Sequence, residues 1–551
     1  MSDEASREFR RRLSQWVASQ GLWFQIRYSV SDAGWLGKIF LYGARLGLVV
    51  GPMLVVATLF FWIYLYERVA SDAYALKLEE SIQKRLVASE VSLRNARYAD
   101  DHLQVALIAL LGGESTFFES LLIHNMSCDM GLTQTFTGNW NDGVLRIGKM
   151  DLHVRPGAND DVAAMAVSGL IFGNENTPFP SVIQIAEANI QWGYSKSTLG
   201  GIYGSRLKAH RQDAAWRLSF SGGRFSQNWL RELEIVELVV RCEPSGIVFE
   251  KARFAKNGGQ VSFIDFELEA GSQPKVSGKL KMSSINLNAI LPRCVLGYLE
   301  GSISGEFEIS GSTNNSRGIA YSGSVRLGEA DRISLSDEIP LLAALSVMDY
   351  SRTFNHVELT QGGFDVEISE GGLVFSNIDI SSVPHSDQRD FQLSLQGEIF
   401  ASRPSSKQIK QAAEDGVVDS AYLSLVLDGQ QDIDIFANAI KFEGLAKLAQ
   451  SKASQFMISE DKDNLFNRLN IQRELSRIRL SLSDQLTPLM NYEGNCVITI
   501  PGNAFERAQD LLEVYPVETG SGRIRMEVPI SGMIEDLTKA QSEDMYRRGR
   551  R

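Results

Sequence analysis

Cysteine is scarce in this chain, and the few present cannot build a metal site. Cys128, Cys242, Cys294 and Cys496 lie far apart, with no C-x-x-C and no ligand-like spacing, which argues against zinc. Isolated buried thiols are one reading, and a single disulfide such as Cys242–Cys294 in an oxidising compartment is the other. Histidine is equally thin: His102, His124, His153, His210, His356 and His385 are scattered without an H-x-x-x-H, and read as surface or strand-end residues. No G-x-S-x-G elbow occurs, since GSISG at 301–305 has Ile303 at its centre. No G-x-x-x-x-G-K-[ST] phosphate cradle occurs either. Ser81 and Lys84 fit S-x-x-K but lack its partner motifs. No catalytic residue, metal or cofactor is nominated, and the chain is not expected to be an enzyme. Basic charge is also in deficit. The net charge is −12, and because residues 1–45 carry +3, the remainder carries −15. Such an acidic body lacks the basic stripe that nucleic acid requires.

What is present suits a folded protein. Over 551 residues, 44% are hydrophobic and 22% charged, so disorder is not the default. Leu46 to Tyr66 has no charge over 21 residues. At ~1.5 Å per residue it would span roughly 32 Å, which matches a hydrocarbon core of about 30 Å. Pro52 falls near its first turns, and Trp62, Tyr64 and Tyr66 mark one interface. It is too long and too far from the N-terminus for a cleavable signal, so it reads as a retained anchor. The Lys/Arg excess before it favours N-in, C-out.

Residues 1–45 are basic and aromatic, with Arg7, Arg10, Arg11, Arg12, Trp16, Trp23 and Trp35. A cytoplasmic tail and a segment at the headgroup boundary both fit. Residues 67–111 read as a juxtamembrane helical stalk: helix from Glu67 through Arg97, then the apolar run Leu103–Leu111, which docks or turns into the sheet. A first helix capping the next domain fits as well.

Beyond that point the text is strand, turn, strand. A first β-rich region covers 112–270, a second 271–400, a C-terminal α/β part 401–540 and a polar tail 541–551. In the second, Ile303, Gly305, Phe307 and Ile309 share one phase, while Ser304, Glu306 and Glu308 share the other, the period of a strand with one apolar face. Tyr321, Gly323, Val325 and Leu327 repeat it. A short helix from Ile339 to about Ser351 follows, with Leu341, Leu342, Leu345 and Met348 at helical spacing. Phe364, Val366 and Ile368 then alternate with Asp365 and Glu367, and Leu373–Ile380 closes a hairpin. After a strand at Tyr422–Asp428, helical text is commoner in the last third: Phe442–Gln455, Lys462–Ser476 and Ala504–Tyr515, with strands at Ile478–Leu482, Cys496–Ile500 and Arg523–Ile530 interleaved.

One pattern recurs. Gly169, Gly278, Gly305, Gly323, Gly397, Gly494 and Gly532 sit in the apolar phase of strands, flanked by hydrophobic residues two positions either way. Glycine inside a strand costs stability and marks a bulge, a bend or a close approach. Two readings follow: the glycines curl a long sheet into a trough with room for acyl chains, or they bend strands in a filled sandwich.

The order of 276–398, with its G-x-x-x-G strand, turn, strand, short IP-L-L helix and then F-D-V-x-I-x-x-G-G-L-x-F-x-x-I-x-I, resembles the C-terminal region of bacterial AsmA-like proteins. The resemblance implies a single-pass inner-membrane protein carrying an extended, curled antiparallel β-sheet with an open apolar groove in the periplasm. It implies a role in phospholipid transfer or outer-membrane homeostasis, with phospholipid or another acyl lipid, the inner membrane and other envelope proteins as partners. The lipid-binding candidates are then Phe307, Ile309, Val325, Phe364, Val366, Ile368, Phe375, Leu393 and Leu395, with the seven glycines shaping the groove. The rival is an envelope or secretion scaffold in which the same side chains fill a closed core.

Overall fold

A computed structural model describes residues 3–154, 180–382, 393–415, 465–470 and 487–549, with short breaks within these ranges. The chain forms two compact units, 1–74 and 75–551. The first holds three helices, Asp3–Ser19, Leu22–Ser31 and Gly34–Val69. The third is long and apolar enough over Val50–Val69 to cross a membrane. Pro52 lies inside it.

The second unit is mainly β, built on one sheet of twenty-one strands. β1 (Ala88–Ala99), β2 (His102–Gly112), β3 (Phe118–Cys128) and β4 (Val144–Val154) pair antiparallel in chain order. β5 (Val182–Ser195) joins β4 in parallel, the only such pairing among the described strands, and β6 (Thr198–Gln212) returns antiparallel. β7 (Ala215–Ser221) and β8 (Arg224–Gln227) share the next rung, between β6 and β9 (Leu230–Glu243). β10 (Gly246–Lys256), β11 (Gly259–Glu269), β12 (Lys275–Asn286) and β13 (Leu299–Ser312) meander on.

β14 (Ile319–Arg326) and β15 (Arg332–Ser336) both lie against β13; β16 (His356–Leu359) and β17 (Gln361–Ser369) continue one another along the next rung. β18 (Gly372–Ser381), β19 (Ser394–Ser402), β20 (Asn491–Pro501) and β21 (Arg523–Gly532) complete the sheet. Three pairs of strands share a rung, leaving eighteen rungs. At ~4.8 Å each they make about 80 Å of sheet.

Residues 67–111 correct the expected helical stalk. The helix is Asp72–Leu86, and β1 and β2 take the rest. The apolar run Leu103–Leu111, expected to dock or turn into the sheet, is strand β2, and it is covered on both faces. Leu107, Ala109 and Leu111 pack against Leu465 and Leu469, which arrive from far along the chain, while Ile108 and Leu110 are buried on the opposite side. A strand buried on both sides loses the alternation that marks a strand in sequence. The helix also protects the sheet's first edge: the Leu93 amide donates to Glu79 Oε1 at 2.7 Å, and Gln83 Nε2 donates to the Ser89 carbonyl at 2.9 Å.

The far edge is blunted as well. Val517 bridges Ile524 of β21, and Gln541 Nε2 donates to the carbonyl of Pro529, a residue that offers no amide to a further strand. The expected polar tail at 541–551 is therefore corrected: Lys539–Gly549 is a helix that buries Ser542 and Met545. It packs on the helix Pro340–Met348, whose Leu341, Leu342, Ala344, Leu345 and Met348 are buried and whose Leu341 amide donates to Thr538 Oγ1 at 3.2 Å. Beside them the Asp349 carboxylate, 1% exposed, accepts from the Ser351 and Arg352 amides and pairs with the Arg352 guanidinium at 3.1 Å, which also donates to Asn503 at 2.8 Å. Described helices in the last third are few: Ser406–Glu414, Gln509–Val514 and Lys539–Gly549, with helical residues also at 465 and 467–470 inside the expected helix 462–476. The expected elements at 422–428, 442–455 and 478–482 lie outside the described residues, as does most of 462–476.

Candidate functional site

The alternation places the candidate residues on one face, and the strand register joins them into rows. One row runs Phe307, Gly323, Val366, Phe375, Ile399, Gly494 and Ile530, crossing seven rungs from β13 to β21. A second runs Ile309, Tyr321, Ile368, Leu373, Ala401, Tyr492 and Gly532. Val325 stands between Gly305 and Phe364, and Leu395 between Ile380 and Ile498. Leu393 precedes β19, held through its backbone to the hydroxyl of Ser382. Rows of this kind form because side chains two apart on one strand meet their partners directly across the ladder.

Burial along this face is graded. Phe307, Ile309, Val325, Val366 and Leu393 are buried, whereas Phe364, Ile368, Phe375 and Leu395 are only half-buried. Within single strands the same gradient holds. In β18, Leu373 and Phe375 are half-buried while Ile378 and Ile380 are buried; in β20, Tyr492 is half-buried while Cys496, Ile498 and Ile500 are buried. The closed end is the one where β15 and β16 prolong the rungs of β14 and β17, joined by the helix Pro340–Met348. In β18 and β20 the face is packed toward that end and more accessible toward the other, whereas Ile309 and Ala401 of the outer row are buried and Phe364 and Leu395, nearer the closed end, are half-buried.

Of the groove-shaping glycines, Gly169 lies outside the described residues. Gly532 has φ +106°. The other five mark close approach of neighbouring backbone. At Gly278, Gly305, Gly323, Gly397 and Gly494 an added Cβ would come within 3.0 Å of main-chain atoms on the adjoining strand. At Gly397, φ of +141° also excludes most side chains. The missing Cβ atoms thus make room for the sheet itself.

Two features escaped the reading of the sequence. Asp265, Ser284 and Asn377 adopt left-handed backbone, with φ of +49°, +46° and +49°, at register shifts in β11, β12 and β18. Each is a bulge that adds twist and moves the alternation by one residue. The signal was present: in β18 the apolar phase runs Leu373, Phe375 and then Ile378, Ile380, with Asn377 at the slip. The second feature is an aromatic cluster on β8, β10 and β11. Phe225 stacks on Phe254 at 4.5 Å, Phe249 meets Phe266 at 4.8 Å, and Phe263 touches all four. Phe263 lies across from Leu280, itself across from Phe307, so the cluster extends the same face.

The opposite face is polar and paired across strands. Lys281 meets Glu306 at 2.6 Å, Arg326 meets Asp365 at 3.2 Å, and Glu237 takes both Lys251 and Arg253. Hydrogen bonds from Lys281 and from Lys251 and Arg253 hold the carboxyls of Glu306 and Glu237 below the usual range. Exposed pairs of this sort set register more than they stabilise. Among the described residues no group of three His, Cys, Asp or Glu side chains could hold a metal. None of the cysteines is in a disulfide.

No family model matches the chain, and no curated protein or solved structure does. The functional reading therefore rests on the geometry of this face and on the sequence resemblance alone.

Proposed function

We propose that this protein is held in the inner membrane by the helix Gly34–Val69, N-terminus inside, and shields lipid acyl chains on the apolar face of a periplasmic β-sheet. The observation that carries the reading is a half-buried patch of that face, where Ile368 pairs with Leu373, Phe375 pairs with Ile399, and the Phe364 ring meets Phe375 at 5.9 Å. A lipid tail leaving a bilayer loses about 0.8 kcal/mol of shielding per CH₂, and an unfilled apolar strand face restores it without polar contacts. The resemblance of 276–398 to AsmA-like proteins supports the same role in phospholipid transfer or outer-membrane homeostasis. Sheet edges covered by Glu79, Gln83, Val517 and Gln541 fit a body that works through its face and not by adding strands.

The second reading is a scaffold with a filled core, favoured by the buried positions of the face, where Ile309, Val325 and Leu393 are each 2% exposed or less. Purification of the full chain in a detergent-free polymer, followed by mass spectrometry of extracted lipid, separates the two. Phospholipid recovered in fixed ratio to protein, and lost on substitution of the half-buried residues, is the expected result. A lipid content equal to that of a control single-pass protein would leave the scaffold.

A further inference from the structure

The helix Asp3–Ser19 has seventeen residues and buries none of them. A helix of that length is marginal in water without a partner for its apolar face. It has such a face: Phe9, Leu13, Trp16 and Val17 fall at i, i+4, i+7 and i+8, and Phe9 and Trp16 are 61% and 52% exposed. The next helix extends the face. The Trp16 ring meets Phe24 edge-on at 5.3 Å, and Gln25 Nε2 donates to the carbonyls of Ala18 and Gln20 at 2.8 and 2.7 Å, which fixes the turn between the helices. At 100° per residue Arg10 and Arg12 border the apolar stripe, and Arg7 and Arg11 lie behind it. Arg12 also pairs with Glu8 at 2.8 Å. Asp3, Glu4 and Glu8 lie in the first two turns, so the helix carries a net +1 with its arginines gathered at Arg10–Arg12, while the chain beyond residue 45 carries −15.

We propose that Asp3–Ser19 lies in the plane of an anionic lipid surface, with Phe9, Leu13, Trp16 and Val17 in the acyl boundary and the arginines on lipid phosphates. Rings at the boundary and guanidinium groups on its wet side are the arrangement such helices use. Lipid is the occupant because the charge is complementary and because a helix apolar enough to cross a membrane begins at Gly34. The inference rests on the reading of that helix as an anchor, not on lipid transfer by the sheet. It adds a second attachment, sensitive to headgroup charge, on the side of the membrane away from the β unit.

The test is hydrogen–deuterium exchange on the full chain in nanodiscs of phosphatidylcholine alone and in discs that also contain phosphatidylglycerol. Each arginine drawn to an anionic surface strengthens attachment roughly fivefold, so amides of 3–19 should exchange at least about tenfold more slowly in the anionic discs. That protection should fall in about 1 M salt, where screening acts over ~3 Å, and in the variant R10Q/R11Q/R12Q. Phe9→Ser with Trp16→Ser should remove it while leaving 34–69 protected. Equal rates in the two kinds of disc, or protection indifferent to the arginines, would overturn the proposal. Failure of the chain to enter discs would overturn it together with the anchor, whereas entry with fast exchange at 3–19 overturns the surface helix alone.

Discussion

Gly323 stands directly across the ladder from Phe307, and a Cβ on Gly323 would come within 2.6 Å of the Phe307 Cα. Val366 flanks the glycine on its other side. The sheet thus keeps a continuous apolar row while its strands approach more closely than side chains would allow. Gly323→Ala is expected to lower stability by about 1–3 kcal/mol through forced backbone movement. Gly520→Ala, where nothing lies within 4 Å, should stay within roughly 0.5 kcal/mol of the parent. Denaturant midpoints at constant slope would show the difference, and equal midpoints would refute the close-approach account.

The bulge at Asn377 offers a separate test of backbone strain. Its φ of +49° suits asparagine or glycine, and its side-chain amide donates to Asp365 at 2.8 Å. Asn377→Val should cost about 1–2 kcal/mol from the left-handed conformation alone. Asn377→Gly should lose little beyond the hydrogen bond. Similar losses in both variants would mean that the side chain, not the backbone, matters there.

Charge placed on this face should behave differently at half-buried and at buried positions. Phe375→Glu is half-buried and can reach water, so the chain should fold with near-parent circular dichroism yet lose bound lipid. Ile309→Glu puts a carboxylate at a site 2% exposed and should unfold the region, at a cost of several kcal/mol. Retention of lipid by folded Phe375→Glu would remove the half-buried patch as the binding surface.

Thiol reactivity reports the packing directly. Burial pushes Cys128 and Cys242 up to about 12 and Cys496 up to about 11, so none is a thiolate at neutral pH. Cys294 is half-buried. A maleimide reagent at pH 7 should label Cys294 first in the folded protein and all four after denaturation. Rapid labelling of Cys496 would mean that the interior of β20 is open.

The sequence alone carried the phase of the strands that alternate, the apolar helix and the in-phase glycines, because a period of two or 3.6 is written in neighbours a few residues apart. It also held the bulge at Asn377 as a slip in that phase. Tertiary structure alone decided that Phe307, Val366 and Ile399 share a row, that one end of the face is closed by helices 340–348 and 539–549, and that Leu465 and Leu469 cover β2. Those outcomes depend on which distant segment meets a strand. Alternation records that a side is apolar; only the arriving partner determines whether that side is filled.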